Sequence, residues 1–173
     1  FSDAVVTEDY QGGKIAGQHL KKLGHQKVAV LMPSQASMNI QARLAGFQSI
    51  YPEAIIIASE LSKKDGQKAV KEILSRSLTG LFAMNDEIAF GLYLGLKEAG
   101  KKIPDDYSII GYDNVEMSAF VTPALTTVAQ PIFEIGQQAA ELLLNRIQYP
   151  DKKWEEKVLP VELIIRSSTA PLK

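Results

Sequence analysis

The chain has 173 residues, of which 46% are hydrophobic and 23% charged, and its net charge is −1. That balance can fill a sizeable core, leaves no apolar run long enough to span a bilayer, and supplies no block of lysine and arginine for holding phosphates. With no cysteine, disulfides and thiolate metal sites are excluded. Lysine pairs such as Lys21 with Lys22 and Lys63 with Lys64 read as solvated surface, so this chain alone is not expected to bind DNA.

In chain order, residues 4–7 read as a short strand. Residues 12–23 read as a helix stopped by Gly24, and 27–32 as an apolar strand. A helix follows over 40–50, ended by Pro52, then a β-branched strand at 54–58 and a helix over 66–74. Residues 78–84 hold a strand, 87–99 a helix closed by Gly100, and 107–110 a further strand. The strands are apolar throughout rather than alternating, as strands covered on both faces are. Repeated strand–helix units predict an α/β fold with a doubly wound parallel sheet. The remainder differs: 126–128 is extended, 132–147 is a helix with an apolar stripe at Ile132, Ile135, Ala139, Leu143 and Ile147, and 157–166 is a strand broken at Pro160. These pieces are too few for a second core and read as part of a lobe whose other strands are missing.

Ligands of such sheets bind beyond the carboxyl ends of the strands. The polar residues at those ends are Asn39 and Arg43, Asn85 and Asp86, and Asp113 and Asn114. Together they offer a guanidinium, carboxylates and amides, a set that suits a small polyhydroxylated ligand. Singly, each has a plainer reading. Asp86 reads as a helix N-cap, Asn85 as cap-adjacent turn or ligand contact, Asp113 and Asn114 as loop residues, and Arg43 as helix surface. The apolar residues of the 87–99 helix occupy more than one face, which fits either a partner subunit or deep burial in its own domain. No dinucleotide fingerprint, phosphate loop or nucleophile elbow is present, and two histidines without cysteine make a poor zinc set, so neither an enzyme nor a cofactor is expected.

Several of these stretches also resemble one family. RLAGF at 43–47 is similar to the R-x-x-G-aromatic motif of the lactose/galactose repressor (LacI/GalR) family. LGHQK at 23–27, ND at 85–86 followed by AFG at 89–91, and IPDD at 103–106 with SIIGYD at 108–113 resemble further motifs of it. So do PALTTV at 123–128, QP at 130–131 and LIIRSST at 163–169, and the motifs stand in the family's order over nearly the whole chain. The resemblance implies a periplasmic-binding-protein-like, two-lobed domain. Residues 1–11 would be a remnant of the first lobe and crossover, 12–122 the second lobe, and 123–173 a return segment to the first lobe and hinge.

The resemblance also implies the site and its use. Arg43, Asn85 and Asp113 match effector-contacting positions of the family, and Asn39 stands where a polar residue often assists. Leu61 falls where many members place a stacking aromatic, which leucine cannot replace, so a sugar or sugar phosphate fits better than a purine. Glu8 and Asp9 replace the usual Asp-Asn pair. The implied function is a cytoplasmic, homodimeric repressor of carbohydrate-utilisation genes, without membrane association. Operator DNA would be held through an N-terminal headpiece absent from this chain, and effector would shift the lobe arrangement. A periplasmic-type sugar-binding protein of a transport system shares the fold and is the rival expectation.

Overall fold

A computed structural model describes residues 2–172; Phe1 and Lys173, the outermost residues of the expected 1–11 and 123–173 segments, lie outside the described residues. The elements in chain order are β1 (Ala4–Thr7), α1 (Asp9–Lys22), β2 (Val28–Met32), α2 (Met38–Gln48), β3 (Ile55–Ala58), α3 (Lys63–Leu74), β4 (Gly80–Ala83) and α4 (Asp86–Glu98). They continue with β5 (Ser108–Asp113), a one-turn helix at Glu116–Ala119, β6 (Thr126–Ala129), α5 (Ile132–Gln148), β7 (Glu156–Leu159) and β8 (Glu162–Ile164). No described helix is long and apolar enough to cross a membrane.

Six strands form one sheet in the order β3-β2-β4-β5-β6-β8, parallel except for β8, which runs antiparallel to β6. Strand order reverses at β2, and with right-handed crossovers the α1–α2 pair and the α3–α4 pair fall on opposite faces. β2 and β4 are accordingly buried at every residue. Gly24 and Gly100 end their helices with φ of +86° and +70°, the left-handed stop expected of them. α3 starts three residues earlier than the spacing predicts, because Ser62 Oγ accepts from the Asp65 amide and caps it.

The core carries an aromatic column. Tyr51 stacks on Phe47 with centroids 5.4 Å apart, Phe47 on Phe82 at 5.1 Å, and Phe82 meets Tyr112 at 6.5 Å. Phe47, Phe82 and Tyr112 have no solvent exposure. Fully burying a side chain of phenylalanine size contributes about 1.5–3 kcal/mol. The α1–α2 contact is closer than side chains allow. A Cβ on Gly13 would stand 1.8 Å from the Arg43 carbonyl oxygen, and one on Gly46 would stand 1.9 Å from that of Tyr10. Glycine at both places lets the two backbones touch.

The breadth of the apolar surface on α4 is absorbed mainly within the domain. Ile88, Ala89, Phe90, Leu92 and Leu96 are buried, while Leu94 is exposed.

The 126–129 segment differs from expectation. Instead of leaving with the rest of the tail it pairs in parallel with β5, and β8 then pairs with it. Its threonines hide a buried strand behind polar side chains. Thr127 Oγ1 donates to Asp86, and Thr126 Oγ1 accepts from the Arg166 amide.

β1 and β7 form a separate two-stranded parallel sheet against which α5 packs. Here the apolar stripe expected on α5 stays largely uncovered. Ile132, Phe133, Leu143, Leu144 and Ile147 are exposed, as are Trp154 and Val158. Three short crossovers join this small body to the six-stranded one: Glu8, Gln130 with Pro131, and Pro160 with Val161. They are tied to one another. The Glu8 amide donates to the Leu159 carbonyl at 3.0 Å, and Thr7 Oγ1 donates to Gln130 Oε1 at 3.3 Å.

Candidate functional site

Arg43 projects from α2, beside the point where strand order reverses, and its side chain is 9% exposed. It is therefore not the surface residue that a lone helical arginine suggests. A guanidinium is tolerated in such a place only when paired and hydrogen-bonded. Nε donates to Asp9 Oδ1 at 2.7 Å, and Nη1 donates to the Met84 carbonyl, at the end of β4, at 2.8 Å. The guanidinium carbon lies 3.6 Å from the Tyr112 ring centroid, so the aromatic column ends under a cation. The Tyr112 hydroxyl donates to the same Asp9 oxygen at 3.1 Å. Burial holds that hydroxyl well above its ordinary pKa.

Asp113 ends β5, with Oδ1 at 4.0 Å from Arg43 Nη1. Its direct partner is Gln130, whose Nε2 donates to Oδ1 at 2.6 Å. Burial pushes the Asp113 carboxyl up to about 6; the Gln130 amide and the Arg43 charge pull it back, and the charges of Asp86 and Asp9 add to the rise. Asp113 has φ +110° and Asn114 +53°, backbone conformations that side-chain-bearing residues adopt rarely and mostly at functional turns.

The N-cap role read for Asp86 falls instead to Asn85. Asn85 is the N-cap of α4, its Oδ1 accepting from the Ile88 amide at 2.9 Å. Asp86 begins the helix proper and points into the interior, where its carboxylate accepts from Ser118 Oγ, Thr127 Oγ1 and the Val115 amide. Asn114 accepts from Arg166 Nη2 at 2.7 Å and so serves the 163–169 segment.

Among the polar atoms of this group that have no hydrogen-bond partner among the described residues are Arg43 Nη2, Asp113 Oδ2 and Asn85 Nδ2. No buried side-chain nitrogen or oxygen there lacks a partner, so all three are open to solvent or to a ligand. The arrangement offers a fixed donor, a fixed acceptor and an amide around one ion-paired arginine. Asn39 and Leu61 stand at neighbouring strand ends with exposed side chains and make no hydrogen bond or ring contact to the network.

Residues missing from the sequence reading are Asp9 as partner of Arg43, Tyr112 beneath it and Gln130 on Asp113. The signals were present in the Asp9 substitution and in the Gln130-Pro131 dipeptide. Glu8, its neighbour, is exposed. A cavity of about 430 Å³ adjoins the group, lined by Asn114, Gln130, Pro131, Pro160 and Val161. The larger groove of about 560 Å³ lies between β3 and α3, lined by Ser59, Glu60, Lys68 and Glu72, and is touched by none of the network residues.

The chain matches the periplasmic binding protein-like domain over residues 18–169. It is 37% identical to the HTH-type transcriptional repressor PurR of Escherichia coli, over 98% of this chain and 52% of that protein. Among solved structures, a LacI family transcriptional regulator from Enterococcus faecalis with bound ribose is 61% identical. It superposes with a TM-score of 0.99 over 100% of this chain and 65% of its own. A LacI family regulator from Enterococcus faecium, also with bound ribose, is 53% identical with a TM-score of 0.96, over 99% of this chain and 67% of its own. The chain spans about half the length of the curated relatives it matches. With the family domain covering all but its first residues and its last few, and LacI family regulators superposing over the entire fold, the chain belongs to the periplasmic binding protein-like family, among the LacI family transcriptional regulators.

Proposed function

We propose that this chain is the effector-binding part of a cytoplasmic, homodimeric, DNA-binding repressor of carbohydrate-utilisation genes, and that its effector is an uncharged sugar of pentose size, ribose first among them. The observation that carries the reading is the ion-paired network of Arg43, Asp9, Tyr112 and Asp113, with Arg43 Nη2 and Asp113 Oδ2 left open. Nη2 donates to a sugar oxygen, Oδ2 accepts from a hydroxyl, and the Asn85 amide adds a third contact. Asn39 and Leu61 belong to the rim of this pocket. Ribose is the ligand bound in the two Enterococcus structures, and its hydroxyls are of the chemistry that these groups bind.

The charges argue against a sugar phosphate. One arginine faces two carboxylates, Asp9 and Asp113, so a ligand bringing further negative charge is disfavoured. Residues 12–122, together with β6 and β8, are the second lobe. β1, β7 and α5 belong to the first lobe, whose remaining elements cover the exposed face of α5. The dimer partner meets the surface where Leu94, Met117 and Phe120 are exposed. The regulators among the relatives favour this reading over a transport protein.

The test is titration calorimetry of the full-length protein with ribose and ribose 5-phosphate, alongside operator binding with and without ribose. Ribose is expected to bind and to change DNA affinity, and the phosphate to bind at least about tenfold less tightly. Arg43→Ala is expected to lose about 1.5–3 kcal/mol of ribose affinity. Preference for the phosphate, or wild-type affinity in Arg43→Ala, would overturn the pocket.

A further inference from the structure

Asp86 has no solvent exposure and makes no direct ion pair among the described residues, Arg166 acting on it only through its charge. Helix capping does not explain it, since Asn85 already caps α4. All three of its hydrogen bonds come from the chain that follows Asp113. Oδ2 takes the Val115 amide at 3.0 Å and Ser118 Oγ at 2.6 Å, and Oδ1 takes Thr127 Oγ1 at 2.7 Å. Thr127 Oγ1 in turn accepts from the Asn114 amide at 3.3 Å. The two residues after Asp113 therefore hang on Asp86, one directly and one through a single hydroxyl.

The strand has made room for this carboxylate. A Cβ on Gly111 would stand 2.1 Å from Asp86 Oδ1. Asp113 and Asn114 have positive φ at this turn, and the +110° of Asp113 lies outside the left-handed well that Asp and Asn enter readily, so its surroundings must hold it there. A carboxylate imposes it better than an amide would, because hydrogen bonds to an ionised acceptor are stronger and both oxygens accept.

We infer that Asp86 is the positioning residue that holds Asp113 in the conformation in which it accepts the effector. Asp86 touches no ligand itself; it fixes the turn that aims Asp113, and through Ser118 it anchors the one-turn helix beside that turn. The inference rests on the effector reading of Asp113.

The test uses the full-length protein with Asp86→Asn, Thr127→Val, Asp113→Asn and the Asp86→Asn/Asp113→Asn pair. Ribose affinity is measured by calorimetry, and hydrogen exchange is followed over residues 113–121 and, for comparison, over 28–32 and 80–83. Asp86→Asn is expected to weaken ribose about tenfold or more, and Thr127→Val, which removes one of three donors, by less. The double variant is expected to bind no worse than Asp113→Asn alone, because the two losses are one loss. Exchange is expected to speed up in 113–121 and to stay unchanged in the two core strands. Additive affinity losses, or unchanged exchange in the turn, would overturn the inference. If the wild-type protein ignores ribose, the effector reading falls by itself. The exchange arm then decides: acceleration confined to 113–121 supports the positioning role, and its absence removes it.

Discussion

Removing Asp9 isolates the energetic centre of the site. Arg43 and Asp9 approach to 2.7 Å with side chains only 9% and 6% exposed, so water replaces a lost partner poorly. Breaking a pair this deep typically costs about 3–5 kcal/mol, because the remaining charge is left buried. In Asp9→Ala the Met84 carbonyl at 2.8 Å and the Tyr112 ring at 3.6 Å still hold Arg43, and Asp113 stands 4.0 Å away. These place the expected loss at the low end, about 3 kcal/mol, and it includes the acceptor taken from the Tyr112 hydroxyl. Asp9→Asn keeps an oxygen for both donors but removes its charge, so about 1–1.5 kcal/mol is expected. Urea unfolding of this chain, followed by far-ultraviolet circular dichroism, reads both, provided the denaturant slope is unchanged. An Asp9→Ala loss below about 1 kcal/mol would refute the reasoning, since Arg43 would then be stabilised without its carboxylate. Equal losses in the two variants would refute the assignment of the difference to charge.

Three further outcomes follow from the structure. Gly46→Ala places a Cβ 1.9 Å from the Tyr10 carbonyl and must part α1 from α2, so a loss of about 1–3 kcal/mol in the same unfolding assay is expected. Gly136→Ala in α5, where nothing lies within 4 Å, is the control and is expected to gain up to about 1 kcal/mol. The Asp113 carboxyl is raised to about 6 and, as the proposed acceptor of a sugar hydroxyl, would bind it more strongly ionised than protonated. Ribose affinity is therefore expected to be flat above pH 6 and to fall by up to about tenfold per unit below it, a dependence that calorimetry should find abolished in Asp113→Asn.

The parallel sheet was legible because β2, β4 and β5 are apolar runs that only a doubly covered strand tolerates. β6 was not, because Thr126 and Thr127 are buried by satisfying their hydroxyls rather than by being apolar. Strand-end reasoning located Arg43 and Asp113, since topology alone puts them there. It could not foresee that Asn85 would cap α4 while Asp86 turned inward, because both residues cap helices well and only the β5–β6 turn decides between them. Asp9 opens α1 directly after a crossover and Gln130 lies in one, and no periodicity records where a crossover places its neighbours. The closing R-x-S-T motif proves to be a clasp: Arg166 holds Asn114 and the Leu125 carbonyl, and Ser168 bridges the Ile109 carbonyl and the Thr126 amide.

The three crossovers carry a mechanical consequence. Each is one or two residues long, two contain a proline with its φ fixed, and hydrogen bonds bind them side by side. Three such tethers cannot turn independently, and like pins set close together they restrict how the two bodies can turn relative to one another. Gln130 is one of those pins, and its amide also grips Asp113. Through that one amide Asp113 is coupled to the tethers between the two bodies.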